Sequence, residues 1–196
     1  RVCCCINFSL LALLGDAVPS HPNLTRLYIE NTDIKSQREA DALPRSLTNL
    51  RIHSWLVSTV LPPGLLELRV WDVQSDPAVP WHPDLDVALP PALTRLDILY
   101  GSLASEAVVV LLELLPKSLT ELSMPTPSSI LSLLRLPPNL VSLWNWSAIP
   151  PSHVKHIVAP IACLRTLDAT LDPKHYLTLP PGLTNLTLRR GSRKSV

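Results

Sequence analysis

The apolar positions of this chain follow one spelling repeatedly: leucine, two variable positions, leucine, one variable position, then a third apolar residue. The fullest copy reads Leu89-Pro90-Pro91-Ala92-Leu93-Thr94-Arg95-Leu96-Asp97-Ile98. It returns over residues 43–52, 61–70, 115–124, 136–145 and 179–188, with looser copies lacking the Leu-Pro opening at 22–29 and 161–169. The first leucines of these eight copies are Leu24, Leu47, Leu65, Leu93, Leu119, Leu140, Leu164 and Leu183, spaced by 23, 18, 28, 26, 21, 24 and 19 residues. The second and third apolar residues of each copy are two apart, the period of an extended chain, so each copy predicts a short strand with those two side chains facing in. Leu-Pro ahead of the strand is a stop signal. Proline fixes φ near −65° and biases the residue before it toward extended backbone, ending whatever precedes it.

Between the strands the pattern is weaker. Residues 35–43 turn from polar to apolar and predict a short outer helix. Residues 103–115 form the best helix candidate, with Ser102 and Ser105-Glu106 together marking its start. Residues 130–136 and 152–158 are weaker candidates, bracketed by proline. The 18-residue interval before Leu65 leaves room only for a turn or a 3₁₀ segment. Residues 76–83 carry three prolines and predict an extended loop. No single copy can bury its own leucines. Stacking lets each unit cover the next, and connections that return the chain to the same edge make the strands parallel. The expected organisation is an N-terminal cap or residual repeat over 1–21, the stacked repeats over 22–188, and a solvated basic tail over 189–196.

A Leu-x-x-Leu-x-Leu period in the twenties resembles that of leucine-rich repeat proteins. The repeated Leu-Pro-x-x-Leu is similar to two subgroups: the Leu-Pro and FNIP-type repeats of protists, and the bacterial IpaH/YopM-type repeats. The irregular repeat lengths are closer to the protist arrays. The resemblance implies an α/β fold, a curved right-handed leucine-rich repeat solenoid with a parallel sheet on its concave face and loops, 3₁₀ turns and short helices on its convex face. It also implies a non-catalytic, cytoplasmic module that binds a protein partner through the concave face. The alternative is the substrate-recognition arm of a ubiquitin-ligase component of effector or F-box type. The chain departs from the family at the asparagine that usually follows the strand: Thr32, Trp55, Val73 and Gly101 stand there in the first four clear cases. The asparagine ladder that satisfies the turn backbone must therefore be replaced.

Composition narrows the function classes. The 196 residues suffice for one domain with a core, and about a fifth of them are leucine, in excess of ordinary usage. A net charge of +1 gives no argument for nucleic acid. No run of 18 apolar residues exists, so no membrane span is expected. The 21 prolines are periodic and punctuate turns. Cys3, Cys4, Cys5 and Cys163 are spaced for neither a disulfide framework nor a zinc site, and reduced thiols are the simplest reading. The chain begins with Arg1 rather than Met, compatible with a fragment or a processed form. Residues 2–14 resemble the apolar core of a signal peptide, which would make the chain secreted or surface-borne, and the cysteine cluster is also compatible with acylation. A capping helix or residual repeat is the favoured reading. Four Asn-x-Ser/Thr sequons begin at Asn7, Asn23, Asn145 and Asn185; two are by-products of the Leu-Thr repeat.

Candidate chemistry lies on the outward strand positions. The residues between the second and third apolar positions are Tyr28, Arg51, Arg69, Asp97, Ser123, Trp144, Asp168 and Thr187; those just after the motif include His53, Trp71 and Trp146. Arginine and aromatic side chains are the commonest interface anchors. Tyr28, Arg51, His53, Arg69 and Trp71 form one expected patch, and Trp144 and Trp146, near Asp168, another. Asp97 lies between them. The competing expectation is that the tryptophans fold back over the core. In Trp144-Asn145-Trp146 an asparagine takes an inward position, which predicts either a bonded asparagine or a bulge that turns a tryptophan in. His153, His156 and His175 lack a further ligand nearby, so no metal, cofactor or nucleophile is expected. The expected state is a monomer.

Overall fold

The structure, a computed structural model, describes residues 3–4, 22–29, 31–56, 58–74, 89–99, 111–125, 136–149, 161–171 and 179–189. The described strands are β1 (Cys3–Cys4), β2 (Arg26–Ile29), β3 (Asp33–Ile34), β4 (Asn49–Leu56), β5 (Glu67–Gln74), β6 (Arg95–Ile98), β7 (Glu121–Ser123), β8 (Ser142–Ile149), β9 (Thr166–Leu171) and β10 (Asn185–Arg189). They form one sheet in the order β1-β2-β4-β5-β6-β7-β8-β9-β10, with β3 paired to β4 off this path. Every pairing is parallel. The chain is a parallel-sheet solenoid: strands adjacent in the sheet come from successive coils.

The register stacks like on like. Leu27, Leu50, Leu68, Leu96, Leu122, Leu143, Leu167 and Leu186 stand opposite one another across the sheet. All but Leu186 are buried, in one continuous core that includes the first leucines Leu47, Leu65, Leu93, Leu119, Leu140 and Leu164. Truncating one such side chain to alanine costs about 2–5 kcal/mol.

The turn before each strand explains the Leu-Pro-x-x-Leu spelling. The carbonyl of the proline accepts from the amide of the leucine three residues on, as in Pro44–Leu47, Pro62–Leu65, Pro90–Leu93, Pro116–Leu119, Pro137–Leu140 and Pro180–Leu183, at 3.0–3.2 Å. Proline opens the turn without a donor of its own. A second proline follows it in four copies (Pro63, Pro91, Pro138, Pro181), at the turn position where its fixed φ is favourable. Where Ile161 replaces the proline, Leu164 makes the same bond at 3.1 Å.

The threonine of Leu-Thr also has a structural role. One carbonyl of each coil accepts two successive amides of the next: Thr25 from Thr48 and Asn49, Thr48 from Leu66 and Glu67, Leu66 from Thr94 and Arg95, Thr94 from Thr120 and Glu121. The run continues through Thr120, Val141 and Arg165. Where the donor coil carries threonine, its hydroxyl donates to that carbonyl as well: Thr48 to Thr25, Thr94 to Leu66, Thr120 to Thr94 and Thr184 to Arg165, at 3.0–3.1 Å.

Strands β4 and β5 run to Leu56 and Gln74, four residues beyond the expected ends at 52 and 70. With 18 residues between their starts there is no detour to make, and the pairs from Asn49↔Glu67 to Leu56↔Gln74 keep one offset. This extension satisfies the backbone where the asparagine ladder is missing. The Thr32 carbonyl accepts from His53 and Ser54, and Ile34, Trp55 and Val73 stack in register as an apolar row. Trp55 is fully buried, and its indole N–H donates to Thr59 Oγ1 at 3.0 Å.

The expected outer helix at 35–43 is α1 (Gln37–Asp41). Ser36 caps it, accepting from the Glu39 amide, while the Glu39 carboxylate accepts from the Lys35 amide at 2.8 Å. Gln37 ties it to the next coil, accepting from the Val60 amide at 2.7 Å. Of the helix expected at 103–115, residues 111–113 are helical, Leu114 is in a turn and Leu115 is not helical; residues 103–110, the segments 76–83 and 152–158, and all but the last residue of 130–136 lie outside the described residues. Among the described residues no helix is long and apolar enough to cross a membrane.

Candidate functional site

Strand alternation leaves two rows of side chains on the sheet face opposite the leucines. The first is Tyr28, Arg51, Arg69, Asp97, Ser123 and Trp144, in register through β2, β4, β5, β6, β7 and β8. The second, two residues earlier, is Arg26, Asn49, Glu67, Arg95, Glu121, Ser142, Thr166 and Asn185. Sequence reasoning named the first row and passed over the second. The signal was present: the residue just before the second leucine shares its face with the residue just after it.

Ion pairs run along each row, and one stacking contact, Arg95 on Trp144, joins the two. Arg69 Nε donates to Asp97 Oδ2 at 2.8 Å, and Arg95 Nη1 to Glu121 Oε2 at 3.2 Å. The Arg51 guanidinium lies 4.3 Å from the Trp71 ring centre, and that of Arg95 5.4 Å from the Trp144 centre. Both distances fall in the range where the ring quadrupole attracts a cation. Trp71 and Trp144 are therefore half-buried beneath arginines on the outer face, while Trp55 is the tryptophan that joins the core.

Asp97 is placed differently from the other candidates. Its side chain is 8% exposed against 38% for Arg69. It braces Arg69 from beneath, and a partner would meet the arginine first. His53 is exposed on β4, one strand from Trp71. Asp168 stands opposite Thr187 on β10. Between β8 and β9 the register slips: Leu143 pairs Leu167 but Trp146 pairs Ala169, one extra residue on β8. Of the two outcomes that the awkward asparagine left open, the backbone register fits the irregular strand. It sets Trp146, not Asn145, across from the third apolar position, and removes the alternation argument that put Trp146 on the outer row. The side chains of Asn145 and Trp146 lie outside the described residues, as do His153, His156 and His175.

A small depression of about 110 Å³ opens on this face, walled by Tyr28, Asn49, Arg51, Glu67, Arg69 and Arg95 and floored by Leu50 and Leu68. Beyond it, one edge of the sheet carries a second polar row, Asp33, Ser54 and Asp72, in register across β3, β4 and β5. Burial of Asp33 pushes its carboxyl up, but the hydrogen bond from Lys35, the nearby Ser54 hydroxyl and the charges of Lys35 and His53 outweigh this and hold it below the ordinary carboxylate value. Its bond to Lys35 Nζ, 2.9 Å long, in turn raises the Lys35 ammonium above its usual value. Among the described residues no group of three His, Cys, Asp or Glu is placed to hold a metal ion. Cys163 is an exposed thiol.

Comparison with protein-family models, with curated proteins and with solved structures finds no match to this chain.

Proposed function

We propose that this chain is a protein-binding module of the leucine-rich repeat type, recognising a partner protein through the arginine- and tryptophan-bearing face of its sheet by equilibrium binding without chemistry. In this reading that face is the concave one, and the protein acts as a cytoplasmic monomer. The observation that carries the reading is the preparation of the face. Arg51, Arg69 and Arg95 come from three consecutive strands, and each is held by a ring or a carboxylate. Anchors fixed before binding lose less side-chain entropy on association, and arginine and tryptophan are the residues that dominate interface energies. A surface with only a solubilising role has no need to lay guanidinium groups over indoles.

The test replaces both outer tryptophans. With the intact chain immobilised, Trp71→Ala combined with Trp144→Ala should reduce capture of its protein partners from source-cell lysate by about tenfold or more. The far-UV circular dichroism should be retained, because both rings are half-exposed. Arg69→Ala is a poorer choice, since it strands the buried carboxylate of Asp97. An unchanged set of captured proteins at unchanged occupancy would refute the reading.

A further inference from the structure

The depression on the sheet face has a chemistry of its own. Three arginines, Arg51, Arg69 and Arg95, wall it together with Tyr28, Asn49 and one acidic residue, Glu67. The formal charge of these walls is +3 − 1 = +2. Arg69 commits its Nε to Asp97 and Arg95 one terminal nitrogen to Glu121. A guanidinium carries five N–H donors, so both retain donors that these ion pairs do not use. Arg51 is oriented by Trp71. The floor is the strand backbone at Leu50 and Leu68, held rigid because their side chains are locked into the core on the opposite face of the sheet. The volume, about 110 Å³, is below the roughly 150 Å³ that admits a benzene ring. It accommodates a carboxyl group with its adjoining methylenes.

We infer that this depression is the acidic-residue subsite of the binding face: it takes the side-chain carboxylate of an Asp or Glu on the partner protein, held by Arg51, Arg69 and Arg95 with Tyr28 and Asn49 at its rim. The inference rests on the face being the binding surface and adds the chemistry of what docks there. Forked guanidinium groups match the geometry of a carboxylate, and those of Arg69 and Arg95 already meet one each on this sheet. An extended polyanion fits worse. The same rows carry Glu67, Asp97 and Glu121 between the arginines, so a run of phosphates would meet a carboxylate on the strand next to Arg69 and on both strands next to Arg95. Glu67 also sets a sign that can be tested, because its charge opposes the occupant.

The experiment pans a library of displayed random 12-residue peptides on the intact chain. Affinities of the selected peptides are then measured in about 50 mM salt, where exposed charges are weakly screened. The selected peptides should share an Asp or Glu whose change to Asn or Gln weakens binding roughly tenfold. Arg51→Gln should weaken the parent peptide by a similar factor and leave the amide peptide unaffected, the non-additivity expected of two groups in contact. Glu67→Gln should act in the opposite direction and tighten the parent peptide. Acetate should displace the peptide at lower concentration than inorganic phosphate. Peptides that lose affinity with Trp144→Ala but are indifferent to Arg51→Gln, to Glu67→Gln and to their own acidic residue would overturn this subsite alone. Preferential displacement by phosphate would overturn the carboxylate assignment. Selection of no peptide, or of peptides insensitive to Trp144→Ala as well, would overturn both the subsite and the proposed binding face.

Discussion

Two coils of this solenoid open with the same five residues. Leu61-Pro62-Pro63-Gly64-Leu65 leads into β5, and Leu179-Pro180-Pro181-Gly182-Leu183 leads into β10. Both form the same turn, with the proline carbonyl accepting from the leucine amide at 3.1 Å in each. Their leucines differ in burial. Leu61, Leu65 and Leu68 are buried, whereas Leu179 and Leu183 are half-buried and Leu186 is 43% exposed. The turn is decided by residues within it. Burial is decided by the neighbours: β5 has a coil on each side, β4 and β6, and among the described residues β10 pairs with β9 alone. Stability in such a stack is a property of interfaces between coils more than of the coils themselves.

The sharpest way to break this comparison is to truncate matched leucines. Leu68→Ala should cost about 2–5 kcal/mol, since the side chain is wholly enclosed and the cavity cannot collapse from one side. Leu186→Ala, at the same register position, should cost under about 1 kcal/mol. Urea denaturation reads both as shifts in midpoint at constant slope. Equal losses would mean that the last coil is covered as well as the central ones. A second, smaller test uses a feature that the β4 coil has and the β10 coil lacks among the described residues. Trp55→Phe removes the indole donor to Thr59 and leaves a void beside Ile34 and Val73, and should cost about 1–2 kcal/mol.

The same contrast explains what could be read in the sequence. Each repeat carries its turn and strand within ten residues, so the periodic leucines and prolines are enough to place all eight strands that follow a motif copy, parallel and in order. The outer face was half legible. Period-two alternation located the row of Tyr28, Arg51, Arg69 and Trp144, but the row of Asn49, Glu67 and Arg95 was overlooked although the same alternation contains it. Three features depend on partners distant in the chain, and no local pattern carries them. Asp97 is buried because Arg69, a coil away, covers it. Trp55 can stand where an asparagine would because β3 and β5 flank it. Arg95 is held by Glu121 and Trp144, contributed by the two coils that follow it. The bulge at Trp146 was foreseeable as a choice between two outcomes, and only the register with β9 decides it.

If burial needs neighbours on both sides, an interaction made only with the preceding coil should be insensitive to position in the stack. The Leu-Thr hydroxyls provide that control. Thr94 donates to the Leu66 carbonyl at 3.0 Å and Thr184 to the Arg165 carbonyl at 3.1 Å, both near solvent. Thr94→Val and Thr184→Val should each cost about 0.5–1 kcal/mol, because each carbonyl keeps its two amide donors. A clear difference between the two would show that the last coil frays from its neighbour, and the contrast in leucine burial would then reflect local opening rather than missing cover.

The smallest expected effect separates the two regions by pH. Asp33 and Lys35 lie beside the extended β3–β4 pairing, and the β10 coil has no corresponding pair among the described residues. Asp33 is held below its ordinary value in the folded chain, so its contribution is fully present above the unfolded carboxyl value of about 3.9. That contribution disappears as pH falls through the lower, folded value. Lys35 is raised, so its contribution is present below about pH 10.4 and is lost as pH climbs through the higher, folded value. Neutral pH lies inside both windows. Asp33→Asn should therefore lower the melting temperature slightly at pH 6, and the two proteins should converge as pH approaches 2. The gap should also narrow in high salt, because Lys35 is largely exposed. A mutant whose melting temperature tracks the parent at a constant distance from pH 6 to pH 2 would show that the carboxylate charge contributes nothing there, and would leave the apolar row of Ile34, Trp55 and Val73 and the backbone bonds to the Thr32 carbonyl to keep β3 on β4.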